Sequence, residues 1–163
     1  MSAAPALSPT LRLSPETASD RAEAEALVMA AFGPGRFAKT AERLRESATI
    51  AAAFIAREDG RAVGSVRLWS ITIGGIDALF LGPIAVVEDA RRGGLGADLV
   101  GACIGEAQAR GVAGVLLVGD PPYFSRFGFQ VASNVTLPGP ADPRRVLWLP
   151  ITNAAPSGVA LAI

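Results

Sequence analysis

One segment constrains this chain more than any other: Ile84-Ala85-Val86-Val87-Glu88-Asp89-Ala90-Arg91-Arg92-Gly93-Gly94-Leu95-Gly96. An apolar strand runs into a glycine-rich turn, and the turn opens a helix. From Gly94 to Arg110 the apolar residues keep helical spacing, with Leu95, Leu99, Val100, Cys103 and Ala107 on one broad face. Gly111 is the expected stop. Gly114 to Val118 is short and wholly apolar, as suits a strand buried on both faces. Strand, helix and strand from Ile76 to Val118 then predict a right-handed parallel crossover.

The turn has a chemical meaning as well. Such a turn aims several backbone N–H groups at one place, and the helix dipole adds positive potential there. Glycine lets the main chain approach a ligand with no Cβ in the way. Arg91 and Arg92 add fixed positive charge. A diphosphate suits this arrangement; a plain strand-to-helix turn with solvated arginines is the alternative. A G-x-G-x-x-G dinucleotide site fits poorly, because the third glycine is missing and the arginines precede the turn. A nucleotide P-loop fits worse, because no Lys-Ser or Lys-Thr follows the last glycine.

The elements before the turn read as follows. Leu11 to Leu13 is a short first strand, broken by Ser14-Pro15. Thr17 or Ser19 caps a helix that runs to about Phe32, with acidic residues in its early turns. Gly33-Pro34-Gly35 ends it. Phe37 to Glu46 is a second helix, with Phe37, Ala41 and Leu44 on one face. Ala52 to Arg57, Ala62 to Ile73 and Ile76 to Val87 are strands, with turn signals at Glu58-Asp59-Gly60 and Gly74-Gly75. They make an antiparallel meander. After the crossover, Tyr123 to Phe127 suits one helical turn, and Val146 to Leu149 is a last strand followed by a loop and a short end segment. The fold class is α/β, a mixed and mostly antiparallel sheet, in a single domain over residues 1–163.

Composition removes whole classes of chemistry. The chain has no histidine, so imidazole bases and His-containing metal sites are excluded, and no metal is expected. Its one cysteine, Cys103, cannot form an internal disulfide, and a reducing cytoplasmic setting is expected. Formal net charge is zero, which argues against a nucleic-acid surface. The first ten residues lack a secretory pattern. The uncharged stretch from Val146 carries Pro150, Asn153, Pro156 and Gly158, which argues against a membrane span.

Arg91-x-x-Gly94-x-Gly96, preceded by Ile84-Ala85-Val86, resembles the acetyl-CoA-binding motif of the GCN5-related N-acetyltransferases. Tyr123-Phe124-Ser125-Arg126-Phe127-Gly128-Phe129 is similar to that family's late aromatic–turn–Gly-Phe signature. Gly119-Asp120-Pro121 and Phe32-Gly33-Pro34-Gly35-Arg36 resemble its YhbS-like group. The resemblance implies the acyl-CoA N-acyltransferase fold, in which a bulged strand splays from its parallel neighbour around the pantetheine arm. Gly82-Pro83 stands where that bulge would fall. It implies acetyl-CoA as cosubstrate, an amine-bearing acceptor, and direct attack without a covalent enzyme intermediate. Ile84, Ala85, Val86, Arg91, Arg92, Gly93, Gly94, Leu95, Gly96, Ala97 and Phe124 would then hold the cofactor. A homodimer is allowed.

Attack by an amine on a thioester needs a neutral amine, a polarised carbonyl and a proton for the thiolate. The main-chain N–H of Val86 could polarise the carbonyl. The family's usual tyrosine acid falls at Phe124 here, so Tyr123 one residue earlier, Ser125 or solvent is the candidate donor. The strand from Ala78 to Val87 has no carboxylate to serve as base. Asp77, Glu88 and Asp120 lie near it but read as turn or cap residues, and Glu42 and Glu46 as a solvated helix face. Cys103 reads as packing. The rival function is a non-catalytic acyl-CoA-binding sensor. The sequence does not choose an acceptor.

Overall fold

Asp59-Gly60 and Gly74-Gly75 both place two successive residues at positive φ, the geometry of tight hairpin turns. They fold β2 (Thr49–Glu58), β3 (Arg61–Ile73) and β4 (Ile76–Val86) into the expected antiparallel meander, with Glu58 opposite Arg61 and Ile73 opposite Ile76. The structure is a computed structural model that describes residues 11–33 and 40–163, without the side chains of Arg91 and Arg92. The expected residues Pro34 to Lys39, including Phe37, lie outside the described residues.

β1 (Leu11–Pro15) pairs with β2 at the sheet edge. It runs through Ser14-Pro15 instead of stopping there, since an edge is where a sheet tolerates proline's missing N–H. Thr17 forms a capping box with Asp20, and α1 (Arg21–Phe32) follows. α2 is Thr40–Ser47, with Leu44 buried. The chain then passes through a 3-10 turn at Glu88–Gly93 into α3 (Leu95–Arg110), which ends on left-handed Gly111 as expected.

β5 (Gly114–Val118) is parallel to β4, and only Leu79–Val115 and Phe80–Leu116 pair. Beyond them the two strands part. Leu79, Leu81, Val115 and Leu117 pack with Leu95, Leu99, Val100 and Cys103 of α3, while Ala78, Phe80 and Leu116 pack on the other face with Leu44 and Trp148. Gly64 of β3 makes the seat of α3 close: a Cβ there would stand 3.1 Å from both Leu95 and Leu99. A truncation such as Leu99→Ala would cost about 2–5 kcal/mol.

α4 (Pro121–Phe124) and a 3-10 turn at Ser125–Phe127 form the expected helical turn. The strands β6 (Gln130–Val131), β7 (Val135–Thr136), β8 (Val146–Pro150) and β9 (Gly158–Ala162) complete the sheet. The order is β1-β2-β3-β4-β5-β8-β6, with β9 beside the far end of β3 and β7 beside β9. β6 and β7 have two residues each, too short for a periodic signal. The short end segment after the loop is β9. It takes the place beside Ile71–Ile73 that β2 leaves open, with the Thr49 N–H donating to Ile163 O at 3.0 Å. Among the described residues no helix is long and apolar enough to cross a membrane.

Candidate functional site

The parting of β4 from β5 has a local cause. β3 and β4 pair at Val66–Ile84 and again at Leu68–Leu81, so β4 carries one extra residue at Gly82-Pro83. This is the expected bulge, and its peptide is cis. Proline cannot donate a ladder bond here. The Gly82 carbonyl turns instead to Trp69, whose Nε1 donates to it at 2.6 Å.

Two cavities open along the parting. The inner one, of 310 Å³, lies between the bulge and the end of β5, with Leu81, Pro83, Leu117 and Val118 among its apolar lining and Glu42, Arg45, Asp120 and Arg145 as its charged lining. The outer one, of 410 Å³, lies over the glycine-rich turn and is lined in part by Ala85, Val86, Gly94, Gly96, Ala97 and Tyr123. Phe32, Ile84 and Phe124 line both.

Eight of the expected residues thus meet at the outer cavity: Ile84, Ala85, Val86, Gly94, Gly96, Ala97, Tyr123 and Phe124. Gly94 has φ of 75° and ψ of 20°, and no side chain caps α3. Helix geometry leaves the N–H groups of Leu95, Gly96 and Ala97 with no acceptor inside the helix. A Cβ on Gly94 would meet nothing within 4 Å, so the space above the turn is open. Leu95 itself points into the core. Gly93 lies in the preceding 3-10 turn.

α4 places Tyr123 at the outer cavity and Phe124 at the border of both. A Cβ on Gly96 would stand 3.0 Å from the Tyr123 hydroxyl, so that hydroxyl lies over the start of α3. Arg126 lines the same outer cavity, its guanidinium 5.0 Å from the Tyr123 ring centroid and 5.8 Å from that of Phe127. Phe124 packs at the end of β5, where a Cβ on Gly119 would come within 2.4 Å of its ring. Glycine at 119 is what allows that ring position. Ser125 Oγ donates to Pro122 O at 3.1 Å and is turned back on its own helix.

One sequence reading changes. Glu42 does not lie on a solvated helix face: it pairs with Arg45 at 3.0 Å, with 13 % and 12 % of the side chains exposed, and lines the inner cavity. Asp120 is the N-cap residue of α4, as the cap reading has it, with its main-chain O accepting from the Phe124 N–H, but its side chain makes no cap bond. The sequence reading gives no site role to Arg126, although it lies inside the late aromatic signature, or to Arg145, which carries no periodic or motif signal. Cys103 is fully buried as expected, and burial, with Glu106's charge second, pushes its thiol up to about 12. Among the described residues no group of His, Cys, Asp and Glu could hold a metal ion.

A bulged strand parting from its parallel neighbour, with a glycine turn at the mouth of the gap, defines an acyltransferase class, and the comparisons agree. The Acetyltransferase (GNAT) family matches residues 20–129. The chain belongs to that family, and within it resembles the YhbS proteins. It is 33% identical over 113 residues to the Escherichia coli K12 protein called Uncharacterized N-acetyltransferase YhbS, covering 68% of each chain. The crystal structure of E. coli YhbS in complex with CoA superposes with a TM-score of 0.82 at 25% identity, over 96% of this chain and 92% of that one. A Brucella melitensis GNAT family acetyltransferase in complex with acetyl-CoA shares the fold, with a TM-score of 0.75 at 22% identity over 96% and 97% of the two chains.

Proposed function

We propose that this protein transfers an acetyl group from acetyl-CoA to a primary amine by direct attack. The observation that carries the reading is the pair of cavities meeting at Phe32, Ile84 and Phe124. The diphosphate lies over the turn from Arg91 to Gly96. The pantetheine arm enters the gap between β4 and β5, and its thioester reaches the meeting point. The acceptor amine arrives from the inner cavity. The E. coli YhbS structure with CoA and the Brucella structure with acetyl-CoA support the choice of cosubstrate.

The reaction is a nucleophilic substitution at the acyl carbon. The neutral amine forms the N–C bond, the C–S bond breaks, and the electron pair leaves on sulfur. A CoA thiolate with a thiol pKa of about 8.5 leaves without an obligatory acid near neutral pH. Tyr123 and Ser125 are the candidate donors. The place of the Tyr123 hydroxyl beside Gly96 favours contact with the cofactor phosphates over protonation of sulfur. The Ser125 hydroxyl is engaged with Pro122. Solvent is then the proton source. No cysteine intermediate forms, because Cys103 lies on the buried face of α3 with its thiol held protonated.

Binding of CoA measured by calorimetry, and thiol release from acetyl-CoA with a panel of amines, test this reading. Micromolar CoA binding with amine-dependent thiol release is expected. One observation favours the rival, a non-catalytic acyl-CoA sensor: a phenyl ring, Phe124, stands where the family's usual hydroxyl would be. CoA binding with no thiol release for any amine would establish that rival.

A further inference from the structure

Two charged residues near the end of β5, Asp120 and Arg145, enter no ion pair among the described residues. Asp120 is the N-cap residue of α4, a position where aspartate ordinarily accepts from the N–H of the second or third helical residue. Pro121 and Pro122 fill the first two positions and have no N–H to give, which leaves the Tyr123 N–H as the one candidate donor, and no cap bond to it forms. Asp120 makes no side-chain cap bond, and it stands in the lining of the inner cavity.

Arg145 reaches the same wall from the start of β8. The Gly119 N–H donates to Arg145 O at 2.9 Å, and Arg145 Nε donates back to Gly119 O at 3.2 Å. This double tie holds the guanidinium beside the cavity. Among the described residues neither Asp120 nor Arg145 enters a salt bridge, with each other or with any third group. The nearby Asp142 carboxylate is taken by Arg144 at 3.0 Å, and its main-chain O accepts from the Arg145 N–H at 2.9 Å. The other charged residues of the lining, Glu42 and Arg45, are spent on each other. The inner cavity therefore has one carboxylate-bearing and one guanidinium-bearing residue in its lining, both reached by solvent and neither in an ion pair among the described residues.

A simple alkylammonium would satisfy Asp120 and leave Arg145 facing a like charge. A simple anion would do the reverse. An acceptor carrying both charges satisfies both groups. We infer that the acceptor is a small ampholyte of the amino-acid type, its ammonium docked on Asp120 and its carboxylate on Arg145. This rests on the acetyl-transfer reading. The docked ammonium loses a proton to water, the free amine attacks the thioester carbon, and the amide is released with its carboxylate intact. A peptide N-terminus has its amine beside a neutral amide and lacks the second charge.

The test uses the full chain with saturating acetyl-CoA. Thiol release is followed with the proteinogenic amino acids, each beside its own α-amide, and binding of the same compounds to the CoA complex is measured by calorimetry. The preferred amino acid should exceed its amide by about tenfold or more in kcat/KM, the scale of one charge-assisted contact. Arg145→Gln should bring that ratio close to one and leave CoA affinity unchanged, with Arg145→Lys restoring part of it. Asp120→Asn should raise KM about tenfold for acid and amide alike. Thermal midpoints of the variants check that the tie to Gly119 is not needed for folding, and the Lys variant keeps the test open if Gln unfolds.

If CoA binds and amides serve as well as acids, the inference is overturned. It is equally overturned if CoA binds and no amino acid reacts or binds, or if neither Arg145 variant changes the ratio. Failure of CoA itself to bind would instead strike down the acetyl-transfer reading on which the inference stands.

Discussion

The outer half of the cleft is built largely from one contiguous stretch, Ile84 to Ala97, with α4 laid across it; the inner half is assembled from short pieces around Phe32, Glu42, Leu81, Leu117 and Arg145. The outer half works through main chain. Its donors are the orphan N–H groups of a helix start, and its glycine leaves the approach open. The inner half works through side chains, whose partners are set by neighbours distant in sequence. A main-chain site can be shared by a whole family while the side-chain site next to it varies. That is the expected division between a common cosubstrate and differing acceptors.

If the comparison holds, damage to one half should leave the other intact. The largest effect is expected at Gly94. Its left-handed backbone is strained for any β-branched residue, and a side chain would enter the open space above the turn. Gly94→Val should weaken CoA binding by about 10–100-fold, the equivalent of about 1–3 kcal/mol of backbone strain or lost contact. Calorimetry on the folded variant checks this, and unchanged affinity would remove the turn from the site.

Tyr123 comes next, and it sharpens the boundary between the halves. A hydroxyl on a phosphate is a charge-assisted hydrogen bond, so Tyr123→Phe should weaken CoA binding by about tenfold with kcat nearly constant. A fall in kcat of about 10²-fold at unchanged CoA affinity would instead make Tyr123 the acid. The two outcomes separate in one titration and one progress curve.

Cys103 belongs to neither half. Cys103→Ala should cost about 1 kcal/mol of stability through lost packing and leave kcat and CoA affinity unaltered. Ping-pong kinetics or an acetylated Cys103 in a quenched reaction would contradict direct transfer.

The smallest effect concerns the seat of α1, which brings Phe32 to the boundary. Arg57 holds Asp20 and Glu23, each at 2.8 Å. The Thr17 N–H first, then Arg57 and the Thr17 hydroxyl, hold the Asp20 carboxyl down to about 2. A carboxyl lowered in the fold stabilises fully above its unfolded value, about 3.9, and loses that contribution as pH falls toward the folded value. The difference in thermal midpoint between wild type and Asp20→Asn should therefore be constant above pH of about 5 and shrink between about 4 and 2. A difference independent of pH would show that the pairing does not support the helix.

What the sequence by itself determined follows from locality. Hairpin turns at Asp59-Gly60 and Gly74-Gly75, the left-handed stop at Gly111 and the open glycine turn depend on residues within a few positions of each other, and each stands where the sequence placed it, while the bulge at Gly82-Pro83 stands where the family resemblance implied it. The double-sided burial of Gly114–Val118 was legible for the same reason, as an unbroken apolar run. Only the tertiary structure decided the rest. β9 is a strand because β3 outruns β2 and leaves Ile71–Ile73 unpaired on that side, a fact about strands nearly a hundred residues apart in sequence. Asp120 is the cap of α4 by position, but its side chain makes no cap bond and it stands in the lining of the inner cavity. Glu42 reads as solvated until Arg45 folds over Phe80 and brings the pair to the cavity wall. A main-chain hydrogen bond inside a turn or helix is fixed by the dihedral angles of its own segment, whereas the partner of a strand edge or of a charged side chain is fixed by whatever the rest of the chain packs beside it.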